Sequence, residues 1–73
     1  MKKGTRVMVT WEDICADLHS EDQIIPAKAE VCGWVESDTA KYMRIITCRY
    51  MDGSKLADRI VIPSGCIIKK TEI

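Results

Sequence analysis

The Asp52-Gly53 pair, set between two apolar stretches, is the feature that most restricts the fold of this chain. A type I′ hairpin turn needs positive φ at both central residues, and Asp-Gly is a preferred pair for it. With these two residues as the loop, Ile45 faces Ile60. Met43 then faces Ile62, so all four apolar side chains share one face. A slip of one residue would turn this whole set outward, so the sequence predicts a hairpin whose core lies on that face.

The opposite face of the hairpin carries a mixed apolar, aromatic and basic set. The predicted cross-strand pairs are Arg44 with Val61, Ile46 with Arg59, Cys48 with Ala57, and Tyr50 with Lys55. Trp34 and Cys32, from an earlier strand, are expected beside them. Such a patch on a small protein is typical of an interaction surface. The alternative is that residues 11–25 fold over it as a second small core. The predicted interaction surface consists of Trp34, Arg44, Ile46, Tyr50, Arg59 and Val61.

Alternation of apolar and polar residues predicts further strands around this hairpin. The expected strands cover Thr5–Trp11, Ala29–Glu36, Tyr42–Tyr50, the stretch around Ile60–Ile62, and Cys66–Thr71, with a Pro63-Ser64-Gly65 turn before the last. Residues 11–18 could form a short helix, with Ile14 and Leu18 on one face, or an irregular loop. We therefore expect a mainly β protein, a small, strongly bent five-stranded barrel with a short helix or long loop after the first strand. It forms one domain over residues 1–73.

The charge balance restricts the choice of partner. The chain has 11 basic and 11 acidic residues and a formal net charge of zero, whereas general nucleic-acid binders have a basic excess. If the first and last strands run side by side, one sheet edge gathers basic residues that could contact phosphate groups. The same residues could instead be edge-strand charges that prevent unwanted strand pairing. They are Lys2, Lys3, Arg6, Lys69 and Lys70.

No catalytic, metal or cofactor site is predicted. The four cysteines, Cys15, Cys32, Cys48 and Cys66, include no closely spaced pair of the kind zinc sites use, so we expect small, mostly buried apolar residues. His19-Ser20-Glu21-Asp22 fits a solvated loop, and the carboxylates Glu12, Asp13 and Asp17 lack calcium-loop spacing. We expect no enzyme. No signal peptide or spanning segment is predicted, which suggests a cytoplasmic protein with no membrane partner.

Two resemblances accompany these patterns. Val31-Cys32-Gly33-Trp34-Val35 resembles the apolar-x-Gly-x-apolar strand of Sm-like barrels, which share their strand order with Src-homology-3-like barrels. Arg44 stands where that pattern has an RNA-contacting Asn, and Pro63-Ser64 replaces its Arg-Gly pair. Val9-Thr10-Trp11 and the Val61 to Ile67 ending are similar to short proteins of phages and integron-like mobile gene cassettes. The resemblance implies a barrel and no established activity.

These observations lead to two expectations about function. The first is a non-enzymatic binding module that acts through protein contacts, with itself as a homo-oligomer or with another protein. The alternative is weak RNA or single-stranded nucleic-acid binding of the Sm-like type, supported by the barrel, the aromatic residues and the basic edge.

Overall fold

Five antiparallel strands form one sheet in the computed structural model, which describes residues 1–13 and 27–73. The strands are β1 (Arg6–Asp13), β2 (Ala27–Asp38), β3 (Tyr42–Arg49), β4 (Ala57–Pro63) and β5 (Ile67–Glu72). A 3₁₀ helix, Ser64–Cys66, joins β4 to β5. The sheet order is β4-β3-β2-β1-β5. The mainly β, five-stranded prediction is therefore confirmed, and so is the expected adjacency of the first and last strands.

The core lies on one face of this sheet, where alternate positions of the strands are apolar. Met43 pairs with Ile62 and Ile45 pairs with Ile60, as the hairpin register predicts. Burying one such side chain stabilises the fold by roughly 1.5–3 kcal/mol. The fully buried set consists of Val7, Val9, Val35, Met43, Ile45 and Ile62, and the half-buried side chains packed against it are Trp11, Val31, Ile60, Cys66 and Ile67.

The prediction of a tight two-residue hairpin is wrong. The predicted pairing holds up to Ile46 with Arg59, but a bulge then adds a residue to β3, so Cys48 pairs with Asp58 instead of Ala57. The strands separate beyond Arg49 and Ala57, so Tyr50 and Lys55 lie in a loop over residues 50–56 and do not form a strand pair. Within the described residues Gly53 has a positive φ of 84°, whereas no non-glycine residue has one. The geometry of a type I′ turn is therefore absent.

The expected barrel is an open, curled sheet. Within the described residues β4 pairs only with β3, and β5 pairs only with β1, so the ladder does not close. The sheet is nevertheless strongly curled. In the sheet order β2 and β3 lie between β1 and β4, yet residues of β1 and β4 line one groove of about 260 Å³. Side chains such as Trp11, Ile60 and Cys66 separate the two strands there. Apolar side chains, and not backbone hydrogen bonds, therefore fill the gap between β1 and β4.

The first strand is longer than the sequence predicted. Trp11, Glu12 and Asp13 continue the ladder against β2, and Asp13 pairs with Ala27. The expected helix is therefore wrong for residues 11–13, because pairing with a neighbouring strand satisfies backbone groups that an isolated helical turn would leave unpaired. Residues 14–25, the remainder of that segment, lie outside the described residues. In the two described ranges, 1–13 and 27–73, no helix is long and apolar enough to cross a membrane.

Candidate interaction surfaces

The two arginines predicted on the outward face are both held by one carboxylate. Arg59 Nε donates to the two Glu36 oxygens at 2.9 and 2.8 Å, and Arg44 Nη1 lies 3.7 Å from the same carboxylate. The Arg44 guanidinium also lies 5.5 Å from the Tyr42 ring centroid. One carboxylate offsets one of the two positive charges, so Arg44, Arg59 and Glu36 together keep a net charge of +1 that the two guanidiniums share.

Trp34 has close neighbours on both sides. Its cross-strand partner on β3 is Ile46, and its partner on β1 is Arg6. The guanidinium carbon of Arg49 lies 4.0 Å from the centroid of its ring, a close cation–π contact. Arg49 was not predicted as part of this surface, because strict alternation places it on the core face with Met43. The bulge in β3 is what turns it toward Trp34.

The loop between β3 and β4 exposes a group of large apolar side chains that we call the apolar loop, residues 50–56. Tyr50 is 55% exposed, Leu56 is 70% exposed and Met51 is 89% exposed. The Ser54 backbone N–H donates to Asp52 Oδ1 at 2.9 Å and holds the pKa of that carboxyl below its usual range. Only Tyr50 of the three was singled out from the sequence, because the predicted strands continued to the turn and left no loop.

The predicted surface therefore divides into parts of different character. Arg44 and Arg59 are ion-paired, Trp34 is half-buried under Arg49, and Ile46 is half-buried between them. Val61, on the outward face of β4, is 51% exposed, and Tyr50 belongs to the apolar loop. The exposed apolar area of this predicted surface thus lies on β4 and in the loop between β3 and β4, away from the centre of the sheet.

The five basic residues predicted at the sheet edge do not form one patch. Lys70 pairs with Val9, and its Nζ lies 3.1 Å from the Asp38 carboxylate. Lys69 pairs with Thr10 and so points to the other face. Lys2 and Lys3 are exposed ahead of β1, and Arg6 lies beside Trp34. The strand pairing brings the predicted residues near one another but disperses their charges.

Asp38 ties both ends of the described chain to the end of β2. Its carboxylate accepts hydrogen bonds from the Met1 ammonium and from Lys70. The Met1 ammonium is the main cause that lowers the pKa of Asp38, and Lys70 contributes as well. The side chain of Asp38 is only 9% exposed, so this ion-pair cluster is partly shielded from water.

The cysteine prediction is wrong for two of the residues. Cys32 and Cys48 are exposed free thiols, and Cys66 is half-buried against the core. Strand geometry explains why these two thiols are exposed. Cys32 lies between Val31 and Gly33, which face the core, so its own side chain points outward, and Cys48 comes directly after the bulge in β3. Within residues 1–13 and 27–73, no three Cys, His, Asp or Glu side chains are grouped to hold a metal ion. Cys15, Asp17 and the polar run 19–22 lie outside these ranges.

Comparison with known proteins adds no relative for this chain. No protein-family model matches it, and no match occurs among the curated proteins or the solved structures compared with it. The similarities to Sm-like barrels and to cassette proteins remain predictions from the sequence.

Proposed function

We propose that this chain is a non-enzymatic binding module that associates with a second copy of itself through the apolar loop. The observation that carries the proposal is the exposure of Tyr50, Met51 and Leu56 within one short loop. Exposed apolar side chains gathered in one place favour contact with another protein surface, because burial removes them from water. Tyr and Met are also residue types enriched at interfaces.

Charge favours a second copy of this chain as the partner. The formal net charge is zero, so two copies do not repel one another. The apolar loop also carries Asp52 and Lys55. In a two-fold contact each residue meets a different residue of the other copy, so Lys55 of one copy can face Asp52 of the other. The loop is therefore complementary to itself in charge as well as in apolar character.

The proposed architecture is that of an Sm-like or Src-homology-3-like small barrel in its open form, acting in the cytoplasm. The support for this fold is the order β4-β3-β2-β1-β5 together with a 3₁₀ turn between the last two strands. The support for the compartment is the exposure of Cys32 and Cys48 as free thiols, which a reducing environment maintains.

Sedimentation equilibrium tests the proposal. The purified chain should show a mass that rises from monomer toward dimer with concentration, and Tyr50→Lys should keep the monomer mass. Leu56→Asp should act in the same direction, since it places a charge in the contact. The interface is expected to be weak, because three side chains bury much less than the roughly 1,200 Å² of stable complexes.

The control is Ile68→Lys. Ile68 lies on β5 and is 51% exposed, close to the exposure of Tyr50, but it lies outside the apolar loop. This variant should associate like the original chain. A chain that stays monomeric at near-millimolar concentration, or an Ile68→Lys variant that loses association as Tyr50→Lys does, would refute the proposal.

A further inference from the structure

Around Trp34 the structure brings together two arginines whose charges are not neutralised. Arg6 is its neighbour across the β1–β2 ladder, and Arg49 lies over its ring at 4.0 Å. Neither guanidinium forms an ion pair within the described part of the chain. Arg44 and Arg59 on the same face differ, since Glu36 holds both of them. The Arg44–Arg59–Glu36 group thus carries a net charge of +1, whereas the two charges beside Trp34 have no carboxylate partner in the described part of the chain.

Arg6 and Trp34 border a shallow pocket of about 120 Å³, and Arg49 covers the Trp34 ring without belonging to the described lining. Within residues 1–13 and 27–73, no acidic side chain belongs to its lining, which there consists of Arg6, Cys32, Gly33, Trp34, Thr47 and Ile73. The lining combines a guanidinium, an indole ring and a hydroxyl group.

We propose that the Trp34 pocket binds a nucleotide of single-stranded nucleic acid, with the phosphate on Arg6 and the base stacked on the Arg49–Trp34 pair. A guanidinium plane and an indole ring are both surfaces on which unpaired bases stack. Arginine is also the residue best suited to a phosphate group. Duplex nucleic acid does not fit this chemistry, because its bases are already stacked on one another inside the helix.

This site is independent of the apolar loop and of the residues that the Sm-like pattern uses. It does not involve Arg44 or Pro63-Ser64, the positions where this chain departs from that pattern. It also differs from the basic sheet edge, because Arg6 is the only member of that set in the pocket lining. The overall charge balance of zero is compatible with it, since the two free arginines act locally.

Fluorescence anisotropy with a labelled oligothymidylate or oligouridylate tests the proposal. Binding should be measurable at about 20 mM salt and should weaken strongly at about 200 mM, because phosphate contacts release counterions. Arg6→Gln and Arg49→Gln should each weaken binding about fivefold or more. Arg6→Gln should also lower the slope of log affinity against log salt by about 0.7, the value for one phosphate contact on a single strand. Arg49→Gln should leave that slope nearly unchanged, because Arg49 stacks on the base.

The aromatic residue has its own pair of variants. Trp34→Leu should weaken binding about fivefold or more through loss of stacking, whereas Trp34→Phe, which retains an aromatic face, should keep most of the affinity. Far-UV circular dichroism checks that each variant is folded. If Trp34→Leu is unfolded, the proposal is tested by the remaining variants: Trp34→Phe should keep most of the affinity, whereas Arg6→Gln and Arg49→Gln should lose it.

Arg44→Gln is the matched control, because it removes a basic residue from the same face but one that is already paired with Glu36. It should change the affinity less than twofold. The proposal is overturned if no binding occurs at low salt, if Arg44→Gln is as harmful as Arg6→Gln, or if a phosphoserine peptide displaces the oligonucleotide at equal concentration. Sedimentation of Arg6→Gln should match that of the original chain, which separates this site from self-association.

Discussion

Replacement of Gly33 by alanine tests the close approach of β2 to its neighbouring strand β3. A Cβ at this position would lie 2.3 Å from the Ile46 carbonyl oxygen and 2.6 Å from Cγ2 of Ile45. Restoring even 3.0 Å to that oxygen requires the two strands to separate locally by about 0.7 Å. The oxygen is backbone and cannot rotate away as a side chain could.

The cost follows from what that movement disturbs. Ile45 is fully buried, and the pairs Trp34 with Ile46 and Val35 with Ile45 lie directly beside the contact. Overpacking a core usually costs about 1–3 kcal/mol, and a backbone obstacle places Gly33→Ala at about 3 kcal/mol or above. A chain of this length has a total stability of only about 4–11 kcal/mol, so the variant should be largely destabilised.

Urea unfolding followed by tryptophan fluorescence measures this effect, with Gly65→Ala as the control. Gly65 has no atom within 4 Å of an added Cβ and no positive φ. Its replacement should therefore leave stability unchanged or raise it by up to about 1 kcal/mol, through lower entropy of the unfolded chain. A loss below about 1 kcal/mol for Gly33→Ala, or equal losses for the two variants, would refute the close approach of β2 to β3 at Gly33.

Two further variants test the core and the Asp38 cluster. Met43→Ala should lower the free energy of unfolding in urea by about 2–5 kcal/mol, because Met43 is completely buried. Met51→Ala, at an exposed position, should leave that free energy almost unchanged. Similar losses for the two variants would contradict the buried position of Met43. Asp38→Asn should cost about 1 kcal/mol at neutral pH. The pKa of Asp38 is lower in the folded chain than in the unfolded chain, so its contribution is complete above the unfolded pKa of about 3.9 and is lost as the pH falls through the folded pKa. The difference between Asp38→Asn and the original chain should therefore vanish in acid, and a difference independent of pH would contradict the ion pairs.

The sequence predicts the strands and the half of the β3–β4 pairing that precedes the bulge. Apolar residues at every second position leave one arrangement in which Met43 and Ile45 are buried with Ile62 and Ile60. The sequence also predicts that β1 and β5 are neighbours, because a chain this short has few arrangements that bury the apolar side chains of both strands. Both predictions depend on side-chain burial, which is visible in the sequence pattern.

The errors arise where the backbone departs from strict alternation. The bulge between Ile46 and Cys48 has no proline or glycine to mark it, yet it shifts every later residue of the hairpin by one position. That shift opens the apolar loop and turns Arg49 onto Trp34. The openness of the sheet could not be predicted either, because the apolar alternation of β4 and β5 does not show whether these two edge strands pair with each other.

Amide chemical-shift changes on dilution provide the most direct test of the proposed self-association. A ¹H–¹⁵N spectrum recorded from near-millimolar to low-micromolar concentration reports both whether copies of the chain meet and which residues they use. The proposal predicts concentration-dependent shifts at residues 49–57, centred on Tyr50, Met51 and Leu56, and unchanged positions at Ile68 and along β5. Shifts confined to β5, or spectra identical at all concentrations, would contradict the proposed role of the apolar loop.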